Sequence, residues 1–188
     1  MSIMDRMQLF LKCIVTSLCL CWTQSALAVD AGKLNRLFDQ LAMADAAQAG
    51  AIEHDLYAEL ARSGSDAMDY LLERGMEAME VGDSLVAMDH FSALIDHAPD
   101  FAEGYNARAT AYYHAGLYGA AMADIGTTLT LEPRHFGAMS GMAQILNELE
   151  QTDNALKVLY VIRDIHPHMG GLDQRIEILE LALSGAAL

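Results

Sequence analysis

Three prolines, Pro99, Pro133 and Pro167, are the only ones in the chain, and each stands 34 residues from the next. At 24 and 12 residues upstream of each are small residues: Gly75 and Ala87, Ala109 and Ala121, Ala143 and Ala155. A proline removes a backbone donor and pushes the residue before it out of helical geometry, so each one marks where a helix stops. Small residues at fixed positions let two helix backbones approach closely. A unit that repeats both features cannot bury its apolar face alone. It has to stack on its neighbours, which predicts a solenoid of helix pairs.

The composition agrees with that architecture. Hydrophobic residues make up 53% of the chain and aromatic ones 7%, which describes a folded, alanine- and leucine-rich protein. Good helix formers dominate the middle, while Val, Ile and Thr never cluster into an alternating run of strand length. An all-α fold is expected.

Residues 1–28 read differently from the rest. Arg6 and Lys12 precede an apolar run from Cys13 to Trp22, and Ser25-Ala26-Leu27-Ala28 offers small residues at the positions a signal peptidase requires. A cleavable secretory signal is expected, cut between Ala28 and Val29. A permanent anchor would need about 18 apolar residues, and Lys12 and Thr23-Gln24-Ser25 leave too few. Lipidation at Cys19 or Cys21 lacks the leucine-small-small pattern before it. Cys13, Cys19 and Cys21 all fall in this leader, so the exported chain is expected to have no disulfide, thiol nucleophile or cysteine-bound metal. A periplasmic destination follows, with secretion as the alternative.

The net charge is −15, and the leader contributes more base than acid, so the remainder is more negative still. Such a chain repels phosphate backbones and anionic lipid surfaces over a Debye length of about 8 Å. Nucleic acid is excluded as a partner.

Beyond the leader, Leu34, Leu37, Phe38, Leu41 and Ala44 form a stripe that predicts a helix over 32–45, and Ile52, Leu56 and Leu60 predict another over 47–61. Gly64 supplies a left-handed cap position after it. This 29–65 hairpin has repeat length but puts Glu53 where a small residue belongs, so it reads as a degenerate repeat or an N-terminal cap. Ser65-Asp66 is then expected to cap the next helix, with Asp66 accepting free amides and Asp69 near the positive helix end. Three units in register follow, 68–101, 102–135 and 136–169, each with a turn in the middle: Gly82-Asp83, Gly116, and the poorer Glu150-Gln151-Thr152. Past Pro167, Gly170-Gly171 opens a last helix with Leu172, Ile176, Leu179, Leu181 and Leu183 apolar, and residues after Ser184 form its frayed tail.

The three units carry Leu71, Gly75, Ala78, Ala87, Phe91 and Pro99; Tyr105, Ala109, Tyr112, Ala121, Ile125 and Pro133; and Met139, Ala143, Leu146, Ala155, Leu159 and Pro167. In these residues 68–169 resemble the tetratricopeptide repeat family, over just more than half the chain. The departures are Thr128 at a small apolar position and, in the first helix of the third unit, no aromatic at the places held by Tyr105 and Tyr112 in the second. The resemblance implies an all-α, right-handed superhelical solenoid of antiparallel helix pairs, closed by a C-terminal capping helix that shields the last repeat. It also implies a concave groove lined by the first helix of each repeat.

By that geometry the groove presents Asp69, Leu72, Met76, Met79 and Glu80, then Glu103, Asn106, Thr110, Tyr113 and His114, then Ser140, Gln144, Asn147 and Glu148. This lining is acidic and holds no Lys or Arg. Some members of the family hold an acidic C-terminal peptide through groove lysines, arginines and asparagines. A basic, neutral or helical protein segment is therefore the better expectation here.

No chemistry competes strongly with binding. Gly-x-Ser-x-Gly, His-Glu-x-x-His and phosphate-loop motifs are absent, so no catalytic residue and no cofactor are expected. Met88, Met122 and Met142 fall at packing positions, whereas Met76 and Met79 suit an adaptable groove. The seven histidines read as surface or helix-end residues. One exception, His166-Pro167-His168-Met169, is a loop cluster that would serve a metal carrier or sensor. The sequence thus predicts a non-catalytic, periplasmic protein- or peptide-binding scaffold, with a metal carrier or an accessory subunit of a cell-envelope enzyme as alternatives.

Overall fold

The computed structural model describes residues 32–185, all of whose regular structure is helical. The expected signal peptide and the three cysteines lie outside the described residues. The helices are α1 (32–43), α2 (Ala46–Leu60), α3 (Asp66–Glu80), α4 (Ser84–His97), α5 (Ala102–His114), α6 (Tyr118–Leu131), α7 (Phe136–Glu148), α8 (Thr152–Ile165) and α9 (Leu172–Ser184). None of them is long and apolar enough to cross a membrane.

Each of α4, α6 and α8 stops two residues before its proline. The first helices stop by a shared motif as well. Gly82 (φ 78°), Gly116 (φ 73°) and Glu150 (φ 58°) take left-handed backbone at the same repeat position. The next amide then donates back across the last turn: Asp83 to the Ala78 carbonyl, Leu117 to Tyr112 and Gln151 to Leu146, each at 2.8 Å. Glu150 is the only described residue other than glycine with positive φ.

At the N-termini, Asp45 accepts from the amides of Ala47 and Gln48, and Asp83 accepts from Val86. The expected cap on α3 is not made. Ser65 is the N-cap but its hydroxyl caps nothing, and Asp69 instead accepts from the Ser63 amide (2.8 Å) and hydroxyl (2.5 Å). The carboxylate one turn in reaches back to the incoming loop and fixes its path.

Ala87, Ala121 and Ala155 are completely buried. A Cβ built on Gly75 would meet the Phe91 ring at 2.2 Å, so the fully buried phenylalanine is seated against bare backbone. In the next two repeats Ile125 and Leu159 replace that ring and alanine replaces the glycine. Arg108 makes a two-pronged ion pair with buried Asp124 (2.7 and 2.9 Å) and a hydrogen bond to Ser92, tying α5 to α6 and α4. Thr128 is fully buried and donates to the Asp124 carbonyl at 3.0 Å, which satisfies the polar atom at a small apolar position.

Consecutive helices from α3 to α9 pack in sequence. In addition α3 touches α5 and α5 touches α7, while α4, α6 and α8 make no comparable contact with one another. First helices that crowd together and second helices that splay apart give the stack a concave side formed by α3, α5 and α7. At its far end α9 packs on α8 through Leu172, Ile176 and Leu179; Leu181 and Leu183, two of the five expected core residues, are exposed. A hairpin continuing the stack at its near end would lay α2 along α3, as α4 lies along α5. It makes no comparable contact.

Candidate peptide-binding groove

The 14 residues placed on the groove by sequence do not share one environment. On α3, Met76 and Glu80 are exposed and Asp69 is half-buried, whereas Leu72 is only 6% exposed and belongs to the core with Phe91 and Leu94. Met79 packs against the same core. The inward side of α3 is thus used largely for packing, and a shallow depression remains there, with Leu72 lining it among Asp69, Tyr70, Glu73 and Met76.

Between α5 and α7 the groove opens. Asn106, Thr110, Tyr113, His114 and Gln144 surround a concavity of about 280 Å³ whose remaining lining is Ala109, Ile125, Gly137, Ala138, Gly141 and Ile145. Three small residues within two turns of α7 keep the backbone near the surface. One rim is a hydrogen-bonded cluster in which Tyr113 donates to Glu148 and Gln144 donates to the Tyr113 hydroxyl at 2.5 Å. Tyr118 stacks on Tyr113 at 5.7 Å. The tyrosine hydrogen bonds hold the Glu148 carboxyl below its ordinary pKa, and the bond to that carboxylate pushes the Tyr113 phenol up.

Much of the acidity expected of this surface is already engaged. Asp69 holds Ser63, Glu148 holds Tyr113, and Glu103 pairs with His135 at 2.9 Å and accepts from Asn106 at 3.1 Å. Of the four acids, Glu80 alone has no side-chain bond among the described residues.

At one end the groove is filled by the chain itself. Tyr57 of α2 stands edge-on to Phe136, with 5.2 Å between ring centroids, and Phe136 meets His166 in the same way at 5.3 Å. Burial, then the nearby carboxylates of Glu53 and Glu103, push the Tyr57 phenol up to about 12. His135 and His166 stand at helix ends, His135 as the N-cap of α7 and His166 as the C-cap of α8, but both are completely buried rather than at the surface. His135 Nδ1 accepts the Ala138 amide at 3.1 Å and caps α7, so its other nitrogen carries the proton given to Glu103. His166 Nε2 lies 3.3 Å from Glu53, too poorly aligned for a hydrogen bond, and neither ring nitrogen has a partner. The 166–169 loop therefore separates its histidines, one sealed in the core and His168 exposed. No group of three or more potential metal ligands converges among the described residues.

At the other end a side chain outside the expected set enters. Ala143, Gln144 and Asn147 of α7, Leu159 of α8, and Arg175, Ile178 and Leu179 of α9 enclose a second concavity of about 340 Å³. Burial pushes the Arg175 pKa down. Its one hydrogen bond is a long one, 3.5 Å, to the carbonyl of Ser140, whose hydroxyl is buried without a partner. The expectation of a lining without Lys or Arg is thus corrected, because the capping helix contributes to the groove as well as the first helices. A sequence signal existed: Arg175 lies three residues after Leu172 and four before Leu179, inside the apolar stripe of α9.

No profile of a known protein family matches the chain. A TPR repeat-containing protein of Rhizobium etli is 34% identical over 154 residues, which cover 81% of this chain and 76% of that one. The chain therefore belongs to the tetratricopeptide repeat-containing proteins. Solved structures agree on the fold. The first TPR of Spaghetti (RPAP3), bound to the HSP90 peptide SRMEEVD, superposes with a TM-score of 0.59 at 20% identity, over 62% of this chain and 93% of that one. The Sgt2 TPR domain of Aspergillus fumigatus gives 0.60 at 18% identity, over 65% and 82%. A MamA variant superposes with a TM-score of 0.52 at 14% identity, over 85% of this chain and 90% of its own.

Proposed function

We propose that this protein is a non-catalytic scaffold of the bacterial periplasm that holds a peptide or helical segment of another protein in the concave face of its repeats. The observation that carries the reading is the concavity between α5 and α7, where the exposed side chains of Thr110 and Gln144 and the half-buried Asn106 offer hydrogen-bonding groups around a floor of small and apolar residues. Such a lining takes a partner's side chains at the floor and its polar groups at the rim. The structural neighbour solved with a peptide supports the mode of action. The leader of residues 1–28 supports export. Exposed Glu80 and the acidic composition favour a neutral or basic body for the partner.

Gly141 provides the test. A Cβ there meets only Ile125, at 3.6 Å, so Gly141→Leu fills the concavity from a helix that accepts the side chain. The variant is expected to keep wild-type helicity and melting temperature while losing the partner that wild type captures from envelope extract under crosslinking. Unchanged capture of the same partner overturns the reading.

A further inference from the structure

We propose that the concavity between α7 and α9 is a subsite for one acidic side chain of the bound segment, with Arg175 as its charge partner and Asn147 and Gln144 as its hydrogen-bond donors. The proposal rests on the peptide-binding reading and names the chemistry of one position within it.

The first support is the state of Arg175. In a chain with 26 acidic residues, Arg62, Arg74, Arg108 and Arg134 each reach a carboxylate, and Arg36 and Arg163 stand exposed to water. Arg175 is half-buried and reaches none among the described residues; its only bond is the 3.5 Å contact with a carbonyl. A guanidinium drawn out of water and left without a counter-charge sacrifices hydration that a bound carboxylate would restore through two parallel N–H bonds. The second support is its surroundings. Asn147 and Gln144 line the same hollow, and a carboxylate accepts about four hydrogen bonds, so guanidinium and amides together match one such group.

Shape and continuity select the ligand. Leu159, Ile178 and Leu179 form an apolar wall beside the guanidinium, which suits the methylenes of an Asp or Glu side chain. A chain-terminal carboxylate would instead press main-chain amides against that wall without partners. Gln144 also lines the concavity between α5 and α7, so a segment lying there reaches the Arg175 hollow without leaving the protein surface.

The test uses selection of linear peptides from a random library fused at their C-termini to the display protein, which removes free terminal carboxylates. Wild-type protein should enrich Asp or Glu at one fixed position. Arg175→Gln should still enrich peptides but lose that preference, and Arg175→Lys should retain part of it. By fluorescence anisotropy, changing the selected acid to its amide should weaken binding to wild type by about tenfold or more, as expected for a lost charge-assisted hydrogen bond, and leave binding to Arg175→Gln nearly unchanged. Asn147→Ala should lower affinity with the melting temperature intact. Selected peptides without an acidic position, or equal binding of acid and amide, would overturn the subsite and leave the groove reading standing. Binding only of synthetic peptides with a free C-terminal carboxylate would likewise overturn the assignment to a side chain. Recovery of no peptide at all would overturn both.

Discussion

The two ends of the concave face show opposite solutions to one problem. Where α5 and α7 begin, the chain fills its own inner surface: Glu103 pairs with His135, His135 Nδ1 caps α7, and Phe136 packs against Tyr57 and against His166, whose ring nitrogens are buried without a hydrogen bond. Where α7 and α9 face each other, Arg175 and the Ser140 hydroxyl are enclosed without equivalent partners. Side chains of α2 thus occupy one end, and the other end is left open.

The largest expected effect breaks the occupied end. Tyr57→Ala removes a ring that is 39% exposed but packed edge-on against Phe136, and it should lower unfolding free energy by about 2–3 kcal/mol in urea titration. At the open end Asn147→Ala should change stability by less than about 0.5 kcal/mol. Equal losses would erase the distinction between the two ends.

Alkaline pH probes the same contact. The Tyr57 phenol is raised above its ordinary value of 10 to about 12, so the folded state favours the neutral form. That stabilisation is fully present below pH 10 and is lost as the pH rises through 10 toward 12. Wild type should therefore lose melting temperature over that range more steeply than Tyr57→Phe, and the phenolate absorbance change at high pH should be smaller by one tyrosine in the variant.

Two glycines one turn apart on α7 sharpen the comparison. A Cβ on Gly137 comes 3.3 Å from the buried His135 ring, while one on Gly141 has ordinary contact with Ile125 alone. Gly141→Ala should stabilise the protein by about 0.5–1 kcal/mol through helix propensity. Gly137→Ala should gain nothing or lose stability, because the ring that caps α7 has to move. Chemical denaturation of the pair measures the difference directly.

The smallest effect expected is at the turn after α7, where Glu150 occupies left-handed backbone that glycine takes in the two preceding repeats. Glu150→Gly should raise the melting temperature by a few degrees, from relief of about 1 kcal/mol of backbone strain offset in part by chain entropy.

Much of this arrangement could be read from residue spacing. The turns at 82, 116 and 150, the helix stops before each proline, and the buried alanines all follow from local rules repeated at a fixed period. Asn106, Thr110, Tyr113, His114 and Gln144 were legible on the groove because they share one face of helices whose register the period sets. Leu72 lines the α3 depression yet is nearly sealed, because a helix lining a groove also packs against its own partner helix, and spacing alone does not say which of two neighbouring stripes is sealed. Arg175 was overlooked because it belongs to the capping helix, outside the repeats, although its place within an apolar stripe was visible. Glu53 gave half of its meaning: it breaks the small-residue pattern, and its carboxylate stands beside Tyr57 and His166.

The sequence by itself determined the helices, their lengths, their turns and the order in which the repeats stack, since each of these depends on backbone geometry and on neighbours close along the chain. Only the tertiary structure decided which end of the concave face is occupied. The contacts that fill it join residues about 80 to 110 positions apart, Tyr57 to Phe136 and Glu53 to His166. No periodic pattern encodes such meetings, because they come from where α2 lies against residues far along the chain. The same holds for the unpaired Arg175, whose lack of a counter-charge is a property of what the folded surface fails to bring near it.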